Sequence, residues 1–121
     1  MKNIARALVV IIPLSLSPLL MAEEPTQTIA MIISHLNHFP SDSEKQTLAT
    51  IAADDEVSEA TRTLAGALAN VQHKANPADV AALEKIVAQS DTSDAEKKLA
   101  KIIMGINHKP SSEDLAVLES L

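Results

Sequence analysis

The chain contains no cysteine, no tryptophan and no tyrosine, and Phe39 is its only phenylalanine. Without cysteine the protein forms no disulfide, offers no thiol nucleophile and has no residue for a lipoprotein anchor. With one Phe and no Trp or Tyr, it also lacks a platform on which sugars or nucleobases could stack. These absences exclude thiol enzymes and disfavour carbohydrate-binding and nucleic-acid-binding modules.

Glycine and basic residues are scarce as well. The two glycines form neither a phosphate-binding loop nor the Gly-x-Ser-x-Gly turn of serine hydrolases. Ten basic residues face 16 acidic ones, for a net charge of −6, which opposes binding to nucleic acid or to an anionic membrane surface. We therefore predict no enzyme, no catalytic residue and no cofactor. Any protein partner is expected to be basic.

A repeat of 35 residues organises the rest of the chain. An apolar residue, an amide residue and a histidine recur with that period, at 36–38, 71–73 and 106–108. A period of this length is typical of helical repeat proteins. After each histidine comes a helix-capping residue with an acid three positions on, as in the capping box Ser41–Glu44.

Apolar spacing within the repeat predicts two kinds of helix. The first has apolar residues at i, i+3, i+4 and i+7 and is predicted at about 25–37, 59–71 and 94–106. The second follows each cap, at about 42–53, 77–88 and 112–120. Ser58 and Ser93 are predicted to cap the second and third helices of the first kind. The fold class is therefore all-α, with about six short helices and two and a half copies of the repeat.

Residues 1–22 have the features of a cleavable signal peptide. Lys2 and Arg6 precede an apolar stretch that is interrupted by Pro13 and Pro18 and is too short to span a membrane. Cleavage is predicted after Ala22, leaving one domain at 23–121 in the periplasm or outside the cell. Removing the two basic residues makes the remaining chain more acidic, and no stable membrane insertion is expected.

Two architectures fit this pattern. Helical hairpins could stack as a short right-handed α-solenoid, or the six helices could close into a bundle. The repeat favours the solenoid, since each hairpin would then meet its neighbour with the same face. The chain stops at Leu121, an apolar position, so its C-terminal end is expected to pack back or to pair with a second copy.

The three periodic histidines invite a metal-binding hypothesis, which the solenoid disfavours. Equivalent residues of stacked hairpins lie about 10 Å apart, whereas one zinc ion binds nitrogens at about 2 Å. His38, His73 and His108 are therefore predicted to cap the ends of their helices. The weak metal candidates are His35 and His38, three residues apart on one helical turn.

The predicted function is that of a small exported adaptor that binds another protein, and the alternative is a periplasmic protein that binds metal through this histidine pair. Positions that differ between repeats are the freest to carry an interaction. By that criterion the interaction candidates are Phe39, Thr47, Gly66 and Lys101.

Overall fold

The computed structural model describes residues 24–121, and the predicted signal peptide at 1–22 lies outside them. The described chain is all-helical, with six α-helices and no strand. The helices are α1 Pro25–Ser34, α2 Asp42–Ala52, α3 Glu59–Ala69, α4 Pro77–Ala88, α5 Asp94–Gly105 and α6 Ser112–Glu119. The predicted number, order and type of helices are confirmed. None of the six is long and apolar enough to cross a membrane.

Side-chain caps fix where the helices begin. Ser41, Ser93 and Ser111 each accept a backbone N–H from the third helical residue, whose own carboxylate binds the serine N–H in return. Ser58 and Asn76 cap α3 and α4 with single hydrogen bonds. These caps satisfy N–H groups that have no partner within a helix, which is why sequence pattern and structure agree at these ends.

The core lies between α1, α3 and α5, each of which contacts the other two. At equivalent positions Ile29, Leu64 and Leu99 are fully buried. Burying one such side chain contributes about 1.5–3 kcal/mol to folding. The apolar stripe of each helix therefore supplies one side of a shared core.

Helices α2, α4 and α6 cover this core from outside. α2 packs mainly on α3, α4 mainly on α5, and α6 contacts α1 and α5. The first helix thus contacts the last two helices of the chain. Leu118 on α6 is buried and Leu121 packs against the core cluster, so the C-terminal residues fold back onto the domain.

A buried carboxylate joins the N-terminal ends of α3 and α5. Glu96 is only 7 % exposed, and its Oε2 accepts hydrogen bonds from Ser58 Oγ at 2.5 Å and from Thr61 Oγ1 at 2.7 Å. Its Oε1 accepts from the backbone N–H of Ser93 at 2.8 Å. Burial opposes ionisation of Glu96, but these hydrogen bonds together outweigh it and lower the pKa of the carboxyl.

Candidate metal centre

The three periodic histidines occupy the loops that follow α1, α3 and α5, and all three have a left-handed backbone. The φ angles are 76° at His38, 69° at His73 and 72° at His108, and they are the only positive values at non-glycine residues within 24–121. Histidine in this region costs conformational energy, and such positions concentrate at functional sites. The loops therefore hold these three residues in a conformation that a glycine would adopt more readily.

A ring of backbone hydrogen bonds joins the three loops. The N–H of His38 donates to the carbonyl of His108 at 2.5 Å, that of His73 to His38 at 2.6 Å, and that of His108 to His73 at 2.6 Å. Each histidine is thus both a donor and an acceptor in one closed cycle. The cycle brings together three backbones that are 35 residues apart in sequence.

The three imidazoles meet on this ring. Each pair of ring centroids is 5.0 Å apart, and the rings are nearly perpendicular, with interplanar angles of 78° to 86°. One ring nitrogen from each histidine lies within 4.8 Å of those from the other two. His38 is half-buried, whereas His73 and His108 are exposed.

This geometry corrects two predictions about the histidines. The expected separation of about 10 Å for stacked helices is wrong, since the rings are half that distance apart. The capping prediction is also wrong, because α1, α3 and α5 end three or four residues before their histidines. In residues 24–121 the histidine N–H groups bind one another rather than the last helix carbonyls.

The cluster is close to the dimensions that one metal ion needs. Three nitrogens bound tetrahedrally at about 2.0–2.1 Å from zinc lie about 3.3 Å from one another. Starting from a separation of at most 4.8 Å, each nitrogen must move inward by less than about 1 Å. The terminal torsion of histidine is broad enough to allow such a shift without moving the backbone.

Backbone geometry, rather than side-chain hydrogen bonding, positions these rings. No protein hydrogen bond among residues 24–121 holds an imidazole nitrogen of His38, His73 or His108. Metal-binding histidines commonly donate their second N–H to a carboxylate or a carbonyl. Within residues 24–121 no such bond fixes the orientation of these three rings.

His35, the other weak metal candidate, lies outside this cluster. Its Nδ1 is 3.0 Å from the carbonyl oxygen of Met31 and 3.4 Å from Ser34 Oγ, at the end of α1. Of the predicted pair, only His38 belongs to the group of three. The period of the sequence identifies His73 and His108, but the sequence predicts a capping role for them rather than a metal-binding one.

The four interaction candidates stand on four different elements. Phe39 is 53 % exposed beside His38, with the Lys45 ammonium 5.6 Å from its ring centroid. Thr47 on α2 donates its hydroxyl to the Ser43 carbonyl at 3.1 Å. Gly66 on α3 is half-buried, and Lys101 on α5 is exposed. The histidine cluster is therefore the more compact chemical grouping.

Comparison with known protein families, with curated proteins and with solved structures finds no match for this chain.

Proposed function

We propose that this protein binds one transition-metal ion through His38, His73 and His108. The observation that carries the proposal is the convergence of three ring nitrogens within 4.8 Å, on loops that share a strained backbone. Neutral imidazole suits zinc, copper and nickel, whereas magnesium and calcium prefer oxygen ligands. This retains the alternative function predicted from the sequence, with a different set of ligands.

Equilibrium titration of the metal-free protein with Zn²⁺ tests the ligand set. We expect one ion per chain, and we expect His38→Ala, His73→Ala and His108→Ala each to weaken binding by at least about 100-fold. His35→Ala is the matched control and should leave the affinity unchanged. Loss of binding in His35→Ala, with normal binding in His73→Ala and His108→Ala, would replace the cluster with the pair predicted from sequence.

We further infer that the six helices form a closed bundle of three helix pairs rather than an open stack. Two observations support closure: α1 contacts α5 and α6, and residues 35 positions apart meet at both ends of the core helices. Because the chain has no cysteine, a short thiol crosslinker on Met31→Cys and Leu115→Cys provides a test. Both positions line the groove between α1 and α6, so intramolecular linkage is expected only from the closed form.

Protein binding remains the second candidate function. Met31 and Phe39 are 50 % and 53 % exposed and are the large apolar side chains most accessible to a partner among the described residues. Capture experiments with and without chelator would show whether a partner, expected to be basic, depends on the metal. Phe39→Ala combined with Lys101→Ala should reduce capture, and unchanged capture would remove these candidates.

Self-association through the C-terminal end is a separate proposal, tested by the mass of the protein in solution.

Export to the periplasm or beyond the cell is also proposed, on the sequence pattern of residues 1–22. The test is the N-terminal sequence of the protein recovered from its native host. A chain beginning at Glu23 would agree with cleavage after Ala22, whereas an intact Met1 would contradict it.

A further inference from the structure

The three-histidine cluster leaves the coordination shell of an ion incomplete. Structural zinc sites have four protein ligands, whereas sites with three leave the fourth position to water or substrate. Within residues 24–121, the group that could hold a metal contains His38, His73 and His108 and no carboxylate. The fourth ligand must therefore come from outside this group.

The cluster lies at the surface, at the edge of the core. The residues two positions before the three histidines are buried members of the core, namely Leu36, Val71 and Ile106. His73 and His108 themselves are exposed. Because two of the three histidines are exposed, an external ligand has access to the cluster.

Charge selects the kind of ligand. Three neutral imidazoles leave the full double charge of the ion in place, and an anionic donor lowers that charge. Lys74 and Lys109 directly follow two of the histidines and are exposed. In the first turns of α2 and α6, Glu44 and Asp114 bind the cap N–H groups of Ser41 and Ser111, and Asp42 and Glu113 stand beside them. An anion is therefore favoured by the charge of the ion itself and by the two lysines adjacent to the histidines.

We propose that the metal held by His38, His73 and His108 takes a small exogenous anion as its fourth ligand, with Lys74 and Lys109 raising the affinity for it. This inference rests on the proposed metal site and adds the chemical class of its ligand. An anionic oxygen or nitrogen donor, such as hydroxide, a carboxylate, phosphate or azide, fits the open position. The function would then involve reversible capture of such a ligand at an exposed metal.

The test uses the full protein loaded with Co²⁺, whose visible spectrum reports the ligands around the ion. Addition of azide should shift the visible bands saturably, with one azide per cobalt and no loss of metal on gel filtration. An unchanged spectrum with cobalt still bound would overturn the anion proposal and leave the metal site standing. Failure to bind cobalt or zinc would overturn both, and removal of cobalt by azide would also contradict the proposal.

A pair of lysine variants separates the charge effect from nonspecific changes. Lys74→Gln with Lys109→Gln should weaken azide binding by about threefold, while cobalt binding becomes slightly tighter because less positive charge opposes the cation. Lys85→Gln with Lys98→Gln makes the same charge change on the exposed faces of α4 and α5 and serves as the control. Equal effects of the two double variants would remove Lys74 and Lys109 from the proposal.

Discussion

The two ends of the core helices place polar groups near one another in different ways. Beyond the C-terminal ends of α1, α3 and α5 stand three identical residues, His38, His73 and His108, whose rings have no protein hydrogen bond in the described chain. At the N-terminal ends the equivalent positions differ, with Thr61 donating to the carboxylate of Glu96. One end is internally satisfied, and the other is open to a ligand.

This difference separates a structural polar group from a candidate ligand. Glu96 is buried, and both of its oxygens accept hydrogen bonds, so it holds α3 and α5 together. A buried charge is tolerated when hydrogen bonds replace its water. The histidines are more exposed and keep their nitrogens unbound, so their chemistry remains available.

Removing the Glu96 side chain should have the largest effect on stability. Glu96→Ala leaves two hydroxyls without their acceptor and breaks a capping box, so we expect a loss of about 3 kcal/mol in the free energy of unfolding. Urea denaturation measures it. Glu44→Ala is the control, because Glu44 completes the same kind of capping box without a bond to another helix, and should cost about 1 kcal/mol. Equal losses would show that the contacts to Ser58 and Thr61 contribute nothing.

Metal binding at His38, His73 and His108 should stabilise the protein by about as much as Glu96→Ala destabilises it. Zinc at 100 times its dissociation constant raises the free energy of unfolding by about 2.7 kcal/mol if it binds only the folded protein. Thermal denaturation with and without zinc should show this gain in the native chain and its absence in His73→Gly. A gain that persists in His73→Gly would place the ion elsewhere.

Acid should reduce the contribution of Glu96 to the free energy of unfolding. The pKa of Glu96 is lowered on folding, so its contribution is present above the ordinary value of 4.5 and is lost as the pH falls through the lower folded value. Denaturation at pH 7 and pH 3 should therefore show a larger loss in the native chain than in Glu96→Gln, which does not ionise. The loss caused by acid in the native chain should be smaller than the loss caused by Glu96→Ala, since the protonated glutamate side chain still fills the site. Equal losses in the two proteins would contradict this assignment.

Backbone strain at the histidine end predicts a smaller effect. With metal removed by chelator, His73→Gly should be more stable than His73→Ala by about 1 kcal/mol, because glycine adopts a positive φ without steric cost. Urea denaturation of the two variants measures the difference. Equal stabilities would mean that the loop relaxes to a negative φ once the imidazole is gone.

A substitution in the middle of a core helix should affect neither the histidine cluster nor the hydrogen bonds of Glu96. A Cβ at Gly66 would meet no atom within 4 Å, so Gly66→Ala should stabilise α3 by up to about 1 kcal/mol. Zinc affinity and the acid sensitivity of Glu96 should stay the same. Altered zinc binding in this variant would couple the middle of α3 to the histidine end.

Local chemistry made much of the fold predictable. Ser41, Ser58 and Ser93 cap helices where the sequence pattern placed them, because a cap depends on residues only two or three positions away. The helices before the histidines end one to three residues earlier than predicted. Apolar spacing continues through Leu36, Val71 and Ile106, which are buried after their helices have ended.

The long-range contacts were not predictable from pattern. Glu96 finds its partners 35 and 38 residues away, and no charged residue of opposite sign marks the pair in sequence. Thr61 and Glu96 occupy equivalent positions of the repeat. Like the histidines, they are brought together by packing between copies 35 residues apart. The substitution of glutamate where another copy has threonine is the one sequence signal that could have identified this site.

The amino-acid sequence determined the period, the helices, the caps and the positions of His38, His73 and His108. Only the tertiary structure decided that these histidines meet. A period in sequence specifies which residues are equivalent, but it does not say how one copy is placed relative to the next. A translation along a stack keeps equivalents about 10 Å apart, whereas a rotation about a shared axis brings the residues nearest that axis together. The choice between them depends on how all six helices pack at once.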